Sequence, residues 1–238
     1  MTTCAFLALL RVYRIVDAAG QGRFARELLI VLGLTSMAAA AAFMVGQRDF
    51  KRLLAYSSVE HVGILALAIG LGGAGIFAAL LHVINNAFTK AVLFLSAGNI
   101  HRAFKSKRIE DVTGAFVRLP LSAGLFIAGF FAITGSPPFG PFVSELAVLM
   151  AAINSHRYVI GALYLILLAI VFLGMGVSVL AVVQGTPAED AAGGAFRESA
   201  SNTIPIIASL AVVIVMGVWI PTPISTLLHD AARLLGGS

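Results

Sequence analysis

The sequence predicts an all-α integral membrane protein, a bundle of about six full transmembrane helices plus a partial one at the N-terminus. Of its 238 residues, 59% are hydrophobic and only 11% are charged, about half the charged fraction of a soluble domain. The mean hydropathy is +0.98, and apolar runs of about 20 residues, enough to cross a bilayer, recur along the chain. One run is interrupted by glycines and prolines between Gly135 and Pro141, which predicts a discontinuous helix.

The N-terminal part contains one incomplete span and one complete span. Residues 1–16 look like the second half of a membrane helix, because their apolar stretch falls short of the ~20 residues that cross a bilayer. We therefore expect a truncated start, a split gene or a fragment. A polar loop is predicted for residues 17–26. A full span is predicted for residues 27–46, whose small residues suit close helix packing.

The next two spans are predicted to pack as an antiparallel pair. Residues 47–73 begin with charged residues that belong at the membrane surface and continue as an apolar helix. A minimal Gly-rich turn joins this helix to a span over residues 75–99, and a short connection favours antiparallel neighbours. Residues 101–118 then form a strongly basic loop.

Residues 119–153 are too long and too interrupted for one simple span. Proline removes backbone donors and glycine relaxes the chain, so the helix is predicted to unwind at a hinge. Unwound backbone at membrane depth is tolerated where it is buried in protein or lines a wet cavity. The hinge residues are Gly135, Pro137, Pro138, Gly140 and Pro141.

The rest of the chain completes this architecture. Apolar spans are predicted for residues 158–184 and 203–220, with a Gly-, Ala- and acid-containing loop over residues 185–202 between them. Together these elements form a single transmembrane domain over residues 1–220. A short surface tail is predicted for residues 221–238.

The distribution of Lys and Arg predicts the orientation. Most of these residues fall in loops 47–52, 101–118 and 185–202, which lie on one side of the membrane when the spans alternate. The positive-inside rule makes that side cytoplasmic, most heavily through loop 101–118, and places the C-terminus outside. Because the net charge of +5 sits mainly in loops, it indicates membrane topology and predicts no nucleic-acid partner.

The span over residues 75–99 contains the first functional candidate, Lys90. His82, Asn86 and Lys90 are spaced four residues apart, so they share one face of the helix. A lysine near the bilayer centre costs roughly 3 kcal/mol on insertion scales, which indicates a face that meets protein groups or water. A desolvated lysine can release and recapture a proton, and a histidine can hand it on. The predicted chemistry is therefore proton relay.

Further ionisable groups lie at depth on neighbouring helices. Glu60 and His61 are two to three turns into the preceding span, and Glu145 lies on the second half of the broken helix as a terminal proton donor or acceptor. Ordinary structural roles stay open for all of them. Either histidine can be a hydrogen-bonded core residue, Glu60 can be a brace paired with a loop arginine, and Lys90 with Glu145 can be a structural ion pair.

The charged head of the third span is a weaker candidate. Asp49 with Lys51 or Arg52 is predicted to form a surface network, and a direct role in transport or coupling is the alternative.

Other chemistries are not indicated by the sequence. The single cysteine, Cys4, excludes an internal disulfide and every multi-cysteine metal site. There is no phosphate-binding Gly loop, no His/Glu zinc signature and no cysteine cluster for iron–sulfur. We therefore expect no metal site, no redox centre and no cofactor in this chain.

Three motifs carry a resemblance to a known family. RDFKRLLAYSSVEHVG, LLHVINNAFTKAVLFLSAGN and GSPPFGPFVSELAVL occur in this order and resemble the proton-pumping antiporter-like membrane subunits. That family includes subunits of respiratory complex I, Mrp cation/proton antiporters and membrane-bound [NiFe]-hydrogenases. The sequences SVEHVG and GSPPFGPFVSE resemble most closely those of component F of hydrogenase-4-type complexes. The resemblance covers most of residues 1–155, whereas the last two spans are generic.

The resemblance implies roles at matching positions. Lys90 matches the family's central lysine, His82 matches a relay histidine upstream of it, and Glu145 matches the ionisable residue on the second broken helix. The position one turn before Lys90 is histidine in some members but Asn86 here, which puts a continuous titratable line along this helix in doubt.

The resemblance also implies a missing partner. Full-length members have about twice as many spans, and their first half, absent here, carries the entry half-channel. We therefore expect the central and exit part of a proton path, with another chain supplying the N-terminal half. Other membrane subunits of a hydrogenase or complex I-like assembly, in a bacterial or archaeal inner membrane, would complete the pump. The alternatives are an Mrp-like Na⁺/H⁺ antiporter subunit and a structural remnant that only binds partners.

Overall fold

The computed structural model describes residues 2–186 and 196–236. Within these ranges the regular structure is helical, with a short π-helical segment at Asp17–Gln21 and a 3-10 turn at Ile109–Asp111. The α-helices are α1 Thr2–Val16, α2 Gly22–Met44, α3 Phe50–Leu71, α4 Ala74–Phe104, α5 Ala115–Arg118, α6 Pro120–Ile133, α7 Gly140–Asn154, α8 Tyr158–Val183, α9 Ala200–Val218 and α10 Thr222–Leu234.

The predicted all-α membrane bundle is confirmed. Five helical stretches are long and apolar enough to cross a membrane, and they correspond to α1 with α2, then α3, α4, α8 and α9. The shorter apolar helices α6 and α7 flank the hinge, so together they form the discontinuous span. Half of the predicted loop over residues 185–202, residues 187–195, lies outside the described residues.

The polar loop predicted for residues 17–26 is wrong. Only Asp17–Gln21 departs from the α-helix, with the kink at Gly20, where φ is +79°. The next helix starts at Gly22 and not at residue 27. Polarity does not end a helix by itself, and the sequence RFAREL after Gly22 is rich in good helix formers.

Glycines bring α2 and α3 into backbone contact. A Cβ added to Gly33 would lie 2.7 Å from the Gly63 carbonyl oxygen, and a Cβ added to Gly63 would lie 2.8 Å from the Gly33 carbonyl oxygen. Small residues at such a crossing let two helix backbones approach closely. Glu60 and His61 of α3 are 3% and 0% exposed, so this helix places both groups in the interior of the bundle.

The hinge lies between α6 and α7 and is covered by protein. Gly135 has φ +65°, the Pro137–Pro138 peptide is cis, and α7 begins at Gly140 with proline in its first turn. Asn85 of α4 donates from Nδ2 to the Gly140 carbonyl oxygen at 2.8 Å. On the α9 side, Gly217 leaves no room for a Cβ against the Pro138 carbonyl oxygen. The unwound backbone is therefore enclosed by α4 and α9, as the hydrocarbon environment requires.

The C-terminal helix α10 packs on the outside of α4. Its Leu228 is buried, and His229 stacks on Phe77 with ring centroids 4.3 Å apart.

Candidate functional site

The ionisable groups predicted at depth meet where α3, α4 and α7 pack together. His61 and His82 are completely buried, and Glu60 and Glu145 are 3% and 6% exposed. One side-chain ligand atom from each of His61, His82 and Glu145 lies within 4.8 Å of the others. The fold therefore brings together groups that are far apart in the sequence.

Two histidines and a serine form a hydrogen-bonded row across the three helices. His61 Nδ1 is 2.9 Å from His82 Nε2, and His82 Nδ1 is 2.9 Å from Ser144 Oγ. The Ser144 hydroxyl donates to the Pro141 carbonyl oxygen at 3.0 Å, so it accepts from His82. This direction assigns the proton to Nδ1 in both neutral rings and makes His61 the donor to His82.

Lys90 reaches from α4 to α3. Its Nζ donates to Ser57 Oγ at 2.5 Å and to the Leu54 carbonyl oxygen at 3.4 Å. The ring of Phe94 lies 5.9 Å from Nζ and covers the half-buried side chain. Ser57 is one turn before Glu60 on α3, and Glu60 lies within electrostatic range of both Lys90 and Glu145.

We call these groups the interior cluster. Its members are Ser57, Glu60, His61, His82, Lys90, Ser144 and Glu145.

The interior cluster is not held together by ion pairs. Within residues 2–186 and 196–236 the ion pairs are Lys107–Asp49 at 3.6 Å, Arg157–Glu27, and Arg233–Asp230 at 4.0 Å. In this part of the chain Lys90 thus forms no direct ion pair with Glu145, and Glu60 is not braced by an arginine.

Several buried polar atoms in this region lack a hydrogen-bond partner among the described residues. They are His61 Nε2, Asn85 Oδ1, Asn86 Oδ1 and Glu145 Oε1. Leaving such an atom unpaired costs about 1–3 kcal/mol. Buried polar atoms without a protein partner are typical positions for an ordered water molecule or an ion.

Glu145 lies against the hinge. A Cβ on Gly135 would collide with Glu145 Oε2, so only glycine leaves room for the carboxylate at this point. A cleft of about 130 Å³ opens beside Glu145 and is lined by Gly135, Phe142, Leu146, Leu149, Tyr164, Leu165 and Leu168. The Tyr164 hydroxyl donates to the Glu145 carbonyl oxygen at 3.4 Å. The break in the span therefore sets the position of this carboxylate.

Two other sequence candidates lie at the start of α3. Asp49 caps this helix, because its carboxylate accepts from the Lys51 and Arg52 backbone N–H groups at 2.9 and 3.2 Å. It also pairs with Lys107, whereas Lys51 is exposed. Among the described residues the charged partner of Asp49 is thus Lys107 and not the predicted Lys51 or Arg52, and Asp49 lies outside the interior cluster.

Asn86 does not link Lys90 to His82. Its side chain is buried, but its Oδ1 has no hydrogen-bond partner within the described chain. The polar contacts of Lys90 instead cross to α3.

Sequence reasoning did not single out Ser57 and Ser144. Ser57 lies on the same helix face as Glu60 and His61, three and four residues before them, and Ser144 is the neighbour of Glu145 in the sequence. Helical spacing around the candidates was the available signal.

Comparison with known proteins finds matches over most of the chain. A family profile described as NADH:quinone oxidoreductase/Mrp antiporter, TM, matches residues 1–179. The chain is 34% identical over 221 residues to a protein named hydrogenase-4 component F homolog from Methylacidiphilum infernorum, and the match covers 91% of this chain and 44% of that protein. The resemblance predicted from the three motifs is thereby confirmed.

Solved structures share the fold. A chain of the membrane-bound sulfane sulfur reductase, an archaeal respiratory membrane complex, superposes with a TM-score of 0.84 at 24% identity, covering 98% of this chain and 47% of that one. A chain of respiratory complex I from Thermus thermophilus superposes with a TM-score of 0.80 at 24% identity, covering 96% and 49%. The present chain spans about half the length of these proteins.

Proposed function

Because the chain belongs to the family of NADH:quinone oxidoreductase and Mrp antiporter membrane subunits, we propose that it carries part of a proton-translocation path in a redox-driven pump. The observation that carries the proposal is the interior cluster, in which Lys90 is bonded to Ser57 and the His61–His82–Ser144 row is buried beside Glu60 and Glu145. In this multi-pass membrane protein the cluster forms the central and exit part of the path.

The first step of the proposed path joins Lys90 to α3. The ammonium group already donates to Ser57, and a hydroxyl can accept one proton while donating another. Glu60, one turn further along α3, receives the proton directly or through a water molecule. Because Glu60 is buried, its electrostatic interaction with Lys90 is strong, and the charge of one group affects the protonation of the other.

The second step runs from α3 to the hinge. Glu60 and His61 are consecutive in α3, and His61 is hydrogen-bonded to His82. An imidazole takes a proton on one ring nitrogen and releases another from the opposite nitrogen, so the row can pass protons toward Ser144 and Glu145. Glu145 is the terminal group, placed beside the cleft by the unwound backbone.

The path requires other chains to become a pump. We propose that further membrane subunits of a hydrogenase-4 or complex I-like assembly complete it. Electron transfer in a soluble hydrogenase or a formate- or NADH-oxidising arm drives changes in the charge of Lys90 and Glu145. The membrane is the inner membrane of a bacterium or archaeon, with loop 101–118 cytoplasmic and the C-terminus outside.

The test is proton transport by the assembled complex carrying Lys90→Ala, measured in sealed vesicles under substrate turnover. We expect the proton flux to fall at least about 100-fold, the lower range of what a positioned proton donor contributes, while the complex stays assembled. Lys107→Ala, which removes an exposed cation in the loop, should leave the flux unchanged.

The other outcomes assign the alternatives. If Lys90→Ala abolishes a proton transport that requires Na⁺ in the wild-type complex, the chain is an Mrp-like antiporter subunit. Normal transport by the Lys90→Ala complex contradicts the proposal and leaves the chain with a structural role.

A further inference from the structure

Three groups of the interior cluster have the composition and spacing of a metal-ligand set. They are His61 from α3, His82 from α4 and Glu145 from α7, all buried, with one ligand atom of each within 4.8 Å of the others. Glu145 Oε1 has no hydrogen-bond partner within the described residues, so the protein does not otherwise satisfy this ligand atom.

We propose that His61, His82 and Glu145 bind a divalent late transition-metal cation such as Zn²⁺. Two imidazoles and one carboxylate are a common three-ligand set for zinc, with a water molecule in the fourth position. Nitrogen ligands favour such cations over Na⁺, Mg²⁺ and Ca²⁺, which prefer oxygen.

The distance between the two histidines suits a shared metal ion. Zn–N bonds of about 2.0–2.1 Å at tetrahedral angles place two ligand nitrogens about 3.3 Å apart. His61 Nδ1 and His82 Nε2 are 2.9 Å apart, so a rearrangement of a few tenths of an ångström admits the ion between them. The ion then replaces the proton that these two nitrogens share.

The other nitrogen of His82 is held as metal-binding histidines usually are. Its Nδ1–H donates to Ser144 Oγ, and Ser144 is fixed in turn by the Pro141 carbonyl oxygen. Such an outer partner sets the tautomer and the ring orientation, and its loss typically lowers metal affinity by about 10–100-fold. Ser144 is therefore a positioning residue for the proposed site.

The charges around the site are compatible with a dication. Glu145 supplies one negative charge as a ligand. Among the neighbouring ionisable groups, Glu60 acts electrostatically on Glu145, and Lys90 acts on both histidines, so the carboxylate of Glu145 is the group that offsets the charge of the cation. The proton balance is simple: the Nδ1 proton of His61 moves to its Nε2 or leaves, and Glu145 binds as the carboxylate.

Metal binding would close the proton path, a consequence that rests on the proposed function. The ion occupies the His61–His82 contact through which protons pass and ties up Glu145 as well. The binding site itself does not depend on transport, so the two proposals can fail separately.

The test is a titration of the chain in lipid nanodiscs with Co²⁺, a visible-absorbing stand-in for Zn²⁺. We expect intense ligand-field bands that saturate at about one Co²⁺ per chain and are displaced by Zn²⁺. His61→Gln, His82→Gln and Glu145→Gln should each weaken binding by at least about 100-fold, and Ser144→Ala by about 10–100-fold. His156→Gln, which changes an exposed histidine, should have no effect.

A second measurement guards against variants that fail to fold. X-ray absorption of the Zn²⁺-loaded wild-type chain should show two imidazole ligands and oxygen. Affinity that survives all three ligand substitutions, or a zinc shell without two imidazoles, overturns the site. If the metal binds as expected but the Lys90→Ala complex transports protons normally, only the proposed function is rejected. If Lys90→Ala abolishes transport but the metal does not bind as expected, only the metal site is rejected.

Discussion

The two acidic residues of α3 occupy contrasting environments. Asp49, at the start of the helix, accepts two backbone N–H groups and pairs with Lys107 across the loop. Glu60, on the same helix but inside the bundle, is 3% exposed, and within the described residues it forms no ion pair. The surface carboxylate is satisfied by fixed structural partners, whereas the interior carboxylate is not.

The same contrast separates the surface network around Asp49 from the interior cluster. At the surface, the Asp49 carboxylate caps a helix and pairs with a loop lysine, which stabilises the fold. In the interior, Lys90 contacts a hydroxyl, and two imidazoles are bonded to each other and to a second hydroxyl; hydroxyls and imidazoles can both donate and accept. A fold that held these charges only for stability would pair them, because an unpaired buried charge is costly.

The largest effect is expected from removing the interior carboxylate at the hinge. Glu145→Gln keeps the size and polarity of the side chain but cannot exchange a proton, so the proton flux of the assembled complex should fall at least about 100-fold. Glu110→Gln, at an exposed position in the loop, is the matched control and should transport normally. A flux that survives Glu145→Gln would place the exit of the path elsewhere.

The second prediction concerns the position of this carboxylate. In Gly135→Ala the new Cβ meets Glu145 Oε2 and displaces the carboxylate, so the proton flux should fall by about tenfold or more. Gly46→Ala is a close control, because Gly46 also has positive φ but has no atom within 4 Å of an added Cβ. Both variants carry the left-handed backbone penalty of about 1–2 kcal/mol. Equal proton flux in the two variants would show that the contact with Glu145 is irrelevant.

The smallest effect is expected at the surface network. Asp49→Ala removes the helix cap and should lower the free energy of unfolding by about 1 kcal/mol, measured by denaturation in detergent. Asp49→Asn keeps a good capping residue and should be closer to wild type in stability. Both variants should transport protons normally, and a loss of flux in Asp49→Asn would instead support a direct role for this carboxylate.

Much of the site followed from helical periodicity. The spacing of His82 and Lys90, the break between Gly135 and Pro141, and the buried Glu60 and Glu145 are all visible in the sequence, because each depends on residues close together in the chain.

The connection between these groups was not predictable from the sequence. Lys90 contacts Ser57 because of how α3 is rotated and placed against α4, and that placement depends on the Gly33–Gly63 contact between α2 and α3. The His61–His82–Ser144 row likewise needs three helices at fixed offsets. The sequence indicated only that Asn86 puts a titratable line along α4 in doubt, whereas the structure shows that the polar contacts of Lys90 are with α3. The ligand set of the proposed metal site could not be predicted from the sequence for the same reason, since His61, His82 and Glu145 come from three helices.

The most direct test of the account compares two routes from Lys90 to His82 in the same transport measurement. His61→Gln interrupts the route through α3, and Asn86→Ala interrupts the route along α4. The account predicts that His61→Gln lowers the proton flux of the assembled complex at least about 100-fold while Asn86→Ala retains most of it. Full flux in His61→Gln, with flux lost in Asn86→Ala, would contradict the account.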